Sequence, residues 1–356
     1  MQTSSRKLLV VLAGLMLAGI LVYQSTGFIH KANFSGQELL HAVAGADRSL
    51  LLLSVALIYV CYAFRALRWQ LFQGHLGSSR FWIIYNMTLA GFTAIFVLGR
   101  PGEPVRPLLL ARKEKLPIAD MFGIYALERL FDFGATAVIG ALALVLYQSH
   151  GYQVGLTSEL GAWVRKAGVV LLTAVGGGIL GLAYLRLYGS AELERRLQNP
   201  LETPGWRGSL ARILLGFVRG VQAIRTWGEL LLALAYSTAH WFLVLLVYYW
   251  GSRAFGGRLG TLSLGDVMLV MAFSLVGSVV QLPAVGGGAQ LASYLVYTKI
   301  FEVQPEPATA AAIVIWLIGF AMCSFAGVPL LIREGLSLGK LRELAQERDA
   351  GDATAQ

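Results

Sequence analysis

Long apolar runs separated by short polar joins dominate the chain. The runs from Leu8 to Tyr23, Leu50 to Leu67, Ile118 to Tyr147, Trp163 to Leu185, Leu230 to Trp250 and Ala308 to Ile332 each approach the length that carries a helix across a bilayer. Two further apolar runs, Phe81 to Leu98 and Leu264 to Tyr297, end in or are interrupted by clusters of Pro and Gly. The pattern predicts an all-α polytopic membrane protein. Six full transmembrane helices and two re-entrant broken hairpins, eight membrane segments in all, are expected. Eight ordinary spans satisfy hydropathy equally well.

The Lys and Arg distribution separates these alternatives. Arg65, Arg68 and Arg80 precede the Phe81 run, and Arg100, Arg106, Arg112, Lys113 and Lys115 follow it. Both basic groups are cytoplasmic only if the run dips in and returns. The join from Ser149 to Ala162 carries Glu159 and no Lys or Arg, as expected outside, whereas the segment from Arg186 to Trp227 is arginine-rich, as expected inside. The last run ends at Arg333 and leads to Lys340, Arg342 and Arg348, so both termini are expected in the cytoplasm. On this topology, units of about 50–147 and 230–332 run in opposite senses, an inverted repeat of the kind transporters use.

Composition agrees with this class. The chain is 56% hydrophobic and only 14% charged, with mean hydropathy +0.63, where a soluble domain carries about a quarter charged residues. Its net charge of +9 fits anionic lipid headgroups on the cytoplasmic side better than nucleic acid, because no basic-aromatic surface segment lies outside the apolar runs. Cys61 and Cys323 sit in apolar runs and suggest neither a disulfide nor a metal site. Arg6, Lys7 and the following apolar run read as an uncleaved first helix. Residues 1–338 form a single integral membrane domain on this reading, with 186–227 an amphipathic cytoplasmic linker and 339–356 a polar tail.

The candidate chemistry lies between Asn86 and Asp132. Pro and Gly in Gly99-Arg100-Pro101-Gly102-Glu103-Pro104 stop a helix and leave backbone groups that need protein or water partners at membrane depth. Arg100 and Arg106 offer planar donor forks suited to phosphate, and Glu103 is placed to hold one of them. A simpler reading has both arginines snorkelling at the cytoplasmic boundary. Glu128 and Asp132 share one face of the next helix, with Arg129 alongside, about three turns in from Pro117. Intramembrane ionisable groups are costly, so these are expected to form an internal salt bridge with Arg65, Arg68, Arg100 or Arg106, or a gate around a charged substrate. Arg65 and Arg68 end the second run beside Trp69, where interfacial anchoring is the competing reading. The later break, Gln281-Leu282-Pro283-Ala284-Val285-Gly286-Gly287-Gly288-Ala289-Gln290, looks like a counterpart of the first and offers backbone amides and glutamine side chains, although its glycines also suit close helix packing.

Taken together, Arg65-x-x-Arg68-Trp69, the Asn86 segment, Gly99-Arg100-Pro101-Gly102-Glu103-x-x-Arg106-Pro107, Glu128-Arg129-x-x-Asp132 and the late Pro283/Gly break resemble the lysylphosphatidylglycerol synthase transmembrane-region family of flippase-like membrane proteins. The resemblance covers essentially the whole chain. It implies an integral inner-membrane protein that moves a phospholipid, or a lipid-linked anionic or aminoacylated headgroup, between leaflets. On it, Arg65, Arg68, Arg100, Arg106, Gln281 and Gln290 are expected to bind the headgroup. Glu103, Glu128, Arg129 and Asp132 balance charge or gate. Gly99, Pro101, Gly102, Pro283, Gly286, Gly287 and Gly288 supply the backbone breaks. Val285 and Gln290 stand where relatives commonly carry glycine and glutamate, a departure that bears on the shared ligand.

No synthase domain, phosphate loop, hydrolase elbow or metal-ligand spacing accompanies these motifs, so no cofactor, no metal and no catalytic residue is expected. The expected partners are a membrane lipid and a lipid-modifying enzyme, not nucleic acid. The alternative function is a non-transporting accessory protein that binds lipid or scaffolds such an enzyme.

Overall fold

The computed structural model describes residues 36–149 and 226–334, apart from 280 and 283–285, together with positions 173, 177 and 224. The runs expected at Leu8 to Tyr23 and Trp163 to Leu185, almost all of the 186–227 linker and the tail lie outside the described residues. What is described is helical, apart from a two-residue antiparallel pair.

Polar residues at the joins start the helices. A short helix α1 (Gly36–Ala44) leads to α2 (Arg48–Gln73), which begins where the Asp47 carboxylate accepts from the amides of Ser49 and Leu50. Next come α3 (Phe81–Leu98), a 3₁₀ turn (Arg100–Gly102) and α4 (Val105–Glu114), which ends at Lys115 with φ 54°. Helix α5 spans Ile118–Ser149. Capping boxes open α6 (Trp227–Arg253), through Thr226 and Glu229, and α7 (Leu264–Gly277), through Ser263 and Asp266. After the paired Gln281–Leu282 and Gly286–Gly287 come α8 (Gly288–Lys299) and α9 (Pro305–Arg333). Prolines occupy the first turn of α9, where the missing amides cost nothing. Helices α2, α3, α6 and α9 are long and apolar enough to cross a membrane, so the chain is a multi-pass membrane protein.

Helices α2 and α6 pack antiparallel along their length. At one end the Asp47 amide donates to the Ala254 carbonyl at 2.7 Å, and at the other Gly74, His75 and Glu229 line one open groove of about 540 Å³. Both proline-glycine interruptions fold the chain back on itself. A side chain on Gly102 would run into the Ala94 backbone, and one on Gly91 into Arg106, so α4 returns against α3. Likewise Gly277 abuts the Gly288 carbonyl, and α7 and α8 lie side by side. Near the two breaks, Phe96 of α3, Ala289 of α8 and Trp316 of α9 pack together in a small core. Gly327 of α9 rests directly on Leu89 and Thr93 of α3.

One sequence expectation needs adjustment. The sequence bounds the second apolar run at Leu67, next to Arg68 and Trp69, but α2 continues to Gln73, and Trp69 is buried in the core instead of sitting at an interface. Paired arginines do not end a helix when a neighbouring helix supplies carboxylates.

Gly277→Val should destabilise the protein by about 1–3 kcal/mol, because an added side chain must displace backbone. Gly140→Ala, which meets open space, should be neutral or stabilising by up to about 1 kcal/mol. Thermal unfolding of the detergent-purified protein checks both; equal effects would contradict the close approach.

Candidate functional site

Four helices contribute to one buried cluster of charge. Arg65 and Arg68 are three apart on α2 and therefore share a face, as do Glu128 and Asp132 on α5. The α2 guanidiniums bridge both carboxylates: Arg65 Nη1 reaches Glu128 at 2.8 Å and Nη2 reaches Asp132 at 2.9 Å, while Arg68 Nη2 meets the same acids at 3.2 and 2.8 Å. Arg106, brought in by the return of α4, forms an ion pair with the other oxygen of Glu128. Arg129 closes the edge, 3.1 Å from Asp132. Helix α6 fixes the far side of the arginines. Arg68 Nη1 donates to Ser237 Oγ at 2.8 Å, and Arg65 Nε donates to His240 Nε2 at 3.2 Å. Since Nε2 accepts, Nδ1 carries the proton that His240 gives to the Cys61 carbonyl at 3.1 Å.

Aromatic faces form the remaining walls. The Arg106 guanidinium lies 4.2 Å from the Trp69 ring centroid, Arg65 lies 4.8 Å from Phe92, and Arg129 lies 5.2 Å from Tyr125. Such faces favour a cation where water is scarce. Arg68 and Glu128 are each only 1% exposed, and the Arg129 side chain is 28% exposed. Four guanidiniums thus surround two carboxylates, leaving positive charge in excess among the described residues. Arg68 Nε, Arg106 Nη1 and Arg129 Nε are buried without a hydrogen-bond acceptor in the same place.

The expected site residues divide into groups. Arg65, Arg68, Arg106, Glu128, Arg129 and Asp132 are brought together. Glu103 lies next to them and receives the Tyr125 hydroxyl proton in a hydrogen bond. The backbone of Arg100 belongs to the 3₁₀ turn with Pro101 and Gly102, and Gly99 ends α3 at φ 72°; the Arg100 side chain is outside the described residues, as are Pro283 and the Gln281 side chain. Gln290 is buried in the second break, where its side-chain oxygen accepts from the Gly287 amide and closes the turn formed by Gly286, Gly287 and Gly288. Sequence reading missed Ser237 and His240. Their signal was a pair of polar residues three apart in an otherwise apolar run.

Among the described residues no group of His, Cys, Asp or Glu is placed to hold a metal ion, and Cys61 and Cys323 are buried free thiols. Nothing here resembles a nucleophile with its base. What the arrangement offers chemically is guanidinium N–H donors beyond those its two carboxylates engage.

A helical bundle with several helices long and apolar enough to cross a membrane, holding an arginine-rich charge cluster in its interior, is a polytopic membrane protein. More particularly, residues 9–327 match the model of the lysylphosphatidylglycerol synthase transmembrane region, and the chain belongs to that family. No curated protein and no solved structure matches it.

Glu128→Ala strands buried guanidiniums and should cost about 3–5 kcal/mol of stability, whereas Ser237→Ala leaves one donor unmet and should cost about 1–3 kcal/mol. Denaturant titration in detergent tests the order; a larger loss for Ser237→Ala would contradict the central place of Glu128.

Proposed function

We propose that this protein is a lipid translocase of the bacterial inner membrane, carrying an anionic or lipid-linked headgroup between leaflets. The excess of guanidinium over carboxylate in the buried cluster is the observation that carries this reading, since ionisable groups held within a membrane bundle mark ion and substrate pathways. The headgroup phosphate engages Arg65, Arg68 and Arg106, with Arg100 at the turn, while acyl chains stay in lipid. Glu128 and Asp132 occupy those arginines between visits, and Glu103 and Arg129 adjust charge at the edge. Gln281 and Gln290 play the corresponding part at the second break.

Several contacts support two hairpins opening on opposite sides, and the positive-inside pattern then puts the termini in the cytoplasm. Lys113 beyond the break pairs with Glu334 at 2.8 Å, so the ends of α4 and α9 share one side. Leu146 near the end of α5 touches Gly265 at the start of α7, as expected if the second hairpin opens on the other side. Helices α4, α7 and α8, with 10, 14 and 12 residues, are about 15–21 Å long, short of the roughly 30 Å hydrocarbon core.

A second reading, an accessory protein that binds lipid or scaffolds a lipid-modifying enzyme, draws on the closure of the cluster, in which both carboxylates are already engaged by arginines. The two diverge in reconstituted vesicles. Transport predicts that the protein speeds transbilayer movement of a labelled anionic lipid and that Arg65→Gln and Arg106→Gln slow it. Losing one charge-assisted donor costs about 1.5–3 kcal/mol, or about tenfold or more in rate. Unchanged lipid movement with and without the parent protein sinks the translocase.

A further inference from the structure

Among Arg65, Arg68, Arg106 and Arg129, only Arg106 comes from neither α2 nor α5, so its place in the cluster depends on how α4 is held. Its backbone and Cβ press on Gly91 of α3, where an added side chain would collide with them. Its guanidinium lies 4.2 Å from the Trp69 ring centroid.

Trp69 is fixed by more than packing. Its indole N–H donates to Gln73 Oε1 at 3.1 Å, one turn further along α2. Gln73 Nε2 donates in turn to Ser79 Oγ, and the Ser79 hydroxyl donates to Glu114 Oε2 at 2.6 Å. The loop carrying Ser79 is pinned as well, because Gln70 Nε2 donates to the Ser79 carbonyl at 2.8 Å. Glu114 is the last residue of α4, about two turns beyond Arg106 on the same helix.

The order of donors along this chain has one solution. An indole can only donate, so the Gln73 amide oxygen faces Trp69 and its nitrogen faces Ser79. The single Ser79 hydroxyl proton is then left for the carboxylate. Trp69, Gln73 and Ser79 are buried, so a break anywhere in the chain strands a polar group at a cost. Helix α4 is thereby held at both ends: at Arg106 by Glu128 and the Trp69 face, and at Glu114 by Ser79.

We infer that Gln73 is a positioning residue for Arg106. Through Trp69 on one side and Ser79 with Glu114 on the other, it sets where the Arg106 guanidinium meets a headgroup phosphate, without touching the headgroup itself. This role rests on the translocase reading, which makes Arg106 a headgroup ligand, but binding is measured separately from movement.

The test uses the full-length protein in detergent, with fluorescent phosphatidylglycerol displaced by the unlabelled lipid. Gln73→Leu, similar in size but unable to hydrogen-bond, should weaken binding about tenfold, because a misplaced Arg106 forfeits a charge-assisted contact. Arg106→Gln should weaken it at least as much, and combining the two should add no more than about twofold to the Arg106→Gln loss. Losses that multiply in the double variant would overturn the inference, since sites that act independently add in free energy. Glu114→Ala, at the half-buried end of the chain, is the gentler variant if Gln73→Leu does not fold, and it should weaken binding in the same way. Glu114→Gln keeps an oxygen for Ser79 and should restore most of the loss; a variant as weak as Glu114→Ala would count against the hydrogen-bonded chain. Lipid movement in vesicles by the parent, with Gln73→Leu and Glu114→Ala binding as the parent does, would overturn the positioning role alone. Absence of movement with the binding pattern intact would overturn the translocase alone.

Discussion

Burying arginine in a bilayer is the constraint on which this structure depends. A guanidinium cannot shed its proton at any accessible pH, so it must be matched by acceptors wherever it sits. Arg65 and Arg68 lie in the second half of α2, and their needs dictate the neighbours: α5 must turn Glu128 and Asp132 inward, α6 must present Ser237 and His240, and α4 must return close enough for Arg106 to share Glu128. Helix association in lipid draws little from hydrophobic burial. A polar network that links four helices therefore fixes their rotation more firmly than the surrounding Leu and Phe can.

The backbone breaks are the geometric half of the same solution. Without Gly99 at positive φ and Gly102 pressed against Ala94, α4 would not come back along α3, and Arg106 would have no route to the acids. The second break is built differently. A short β-pair and the Gln290 side chain take up amides of its described residues, and Gln281 to Gln290 includes no charged side chain. The asymmetry leaves one half of the molecule polar and the other closed by hydrogen bonds between hydroxyls, such as Tyr248 with Ser274 and Ser252 with Tyr297.

Much of this was legible in the sequence, for physical reasons. Charge in an apolar run is so costly that Glu128, Asp132 and the arginines stand out, and proline with nearby glycine marks both breaks. What was not legible depended on partners distant in the chain. The end of α2 was placed too early because Arg65 and Arg68 look like a boundary until carboxylates more than sixty residues away are known to meet them. His240 carries no mark in the sequence beyond its spacing from Ser237, since its role comes from facing Arg65 across a helix interface. The role of Gln290 within its own break required the β-pair, a feature too short to leave a pattern.

Helix α9 contains a five-residue π turn at Leu317–Ala321. Wide turns of this kind leave carbonyls without their usual partners, and side chains from elsewhere take up carbonyls at and just beyond it: Tyr59 donates to Met322, Tyr62 to Gly319 and Thr93 to Cys323. The half of α9 before the turn packs with α7 and α8 through Ala308, Ala311 and Ile315, and the half after it lies on α3 through Gly327. The element that looks like one rod is mechanically a jointed one. Side chains of α2 and α3 fill the join between the two halves.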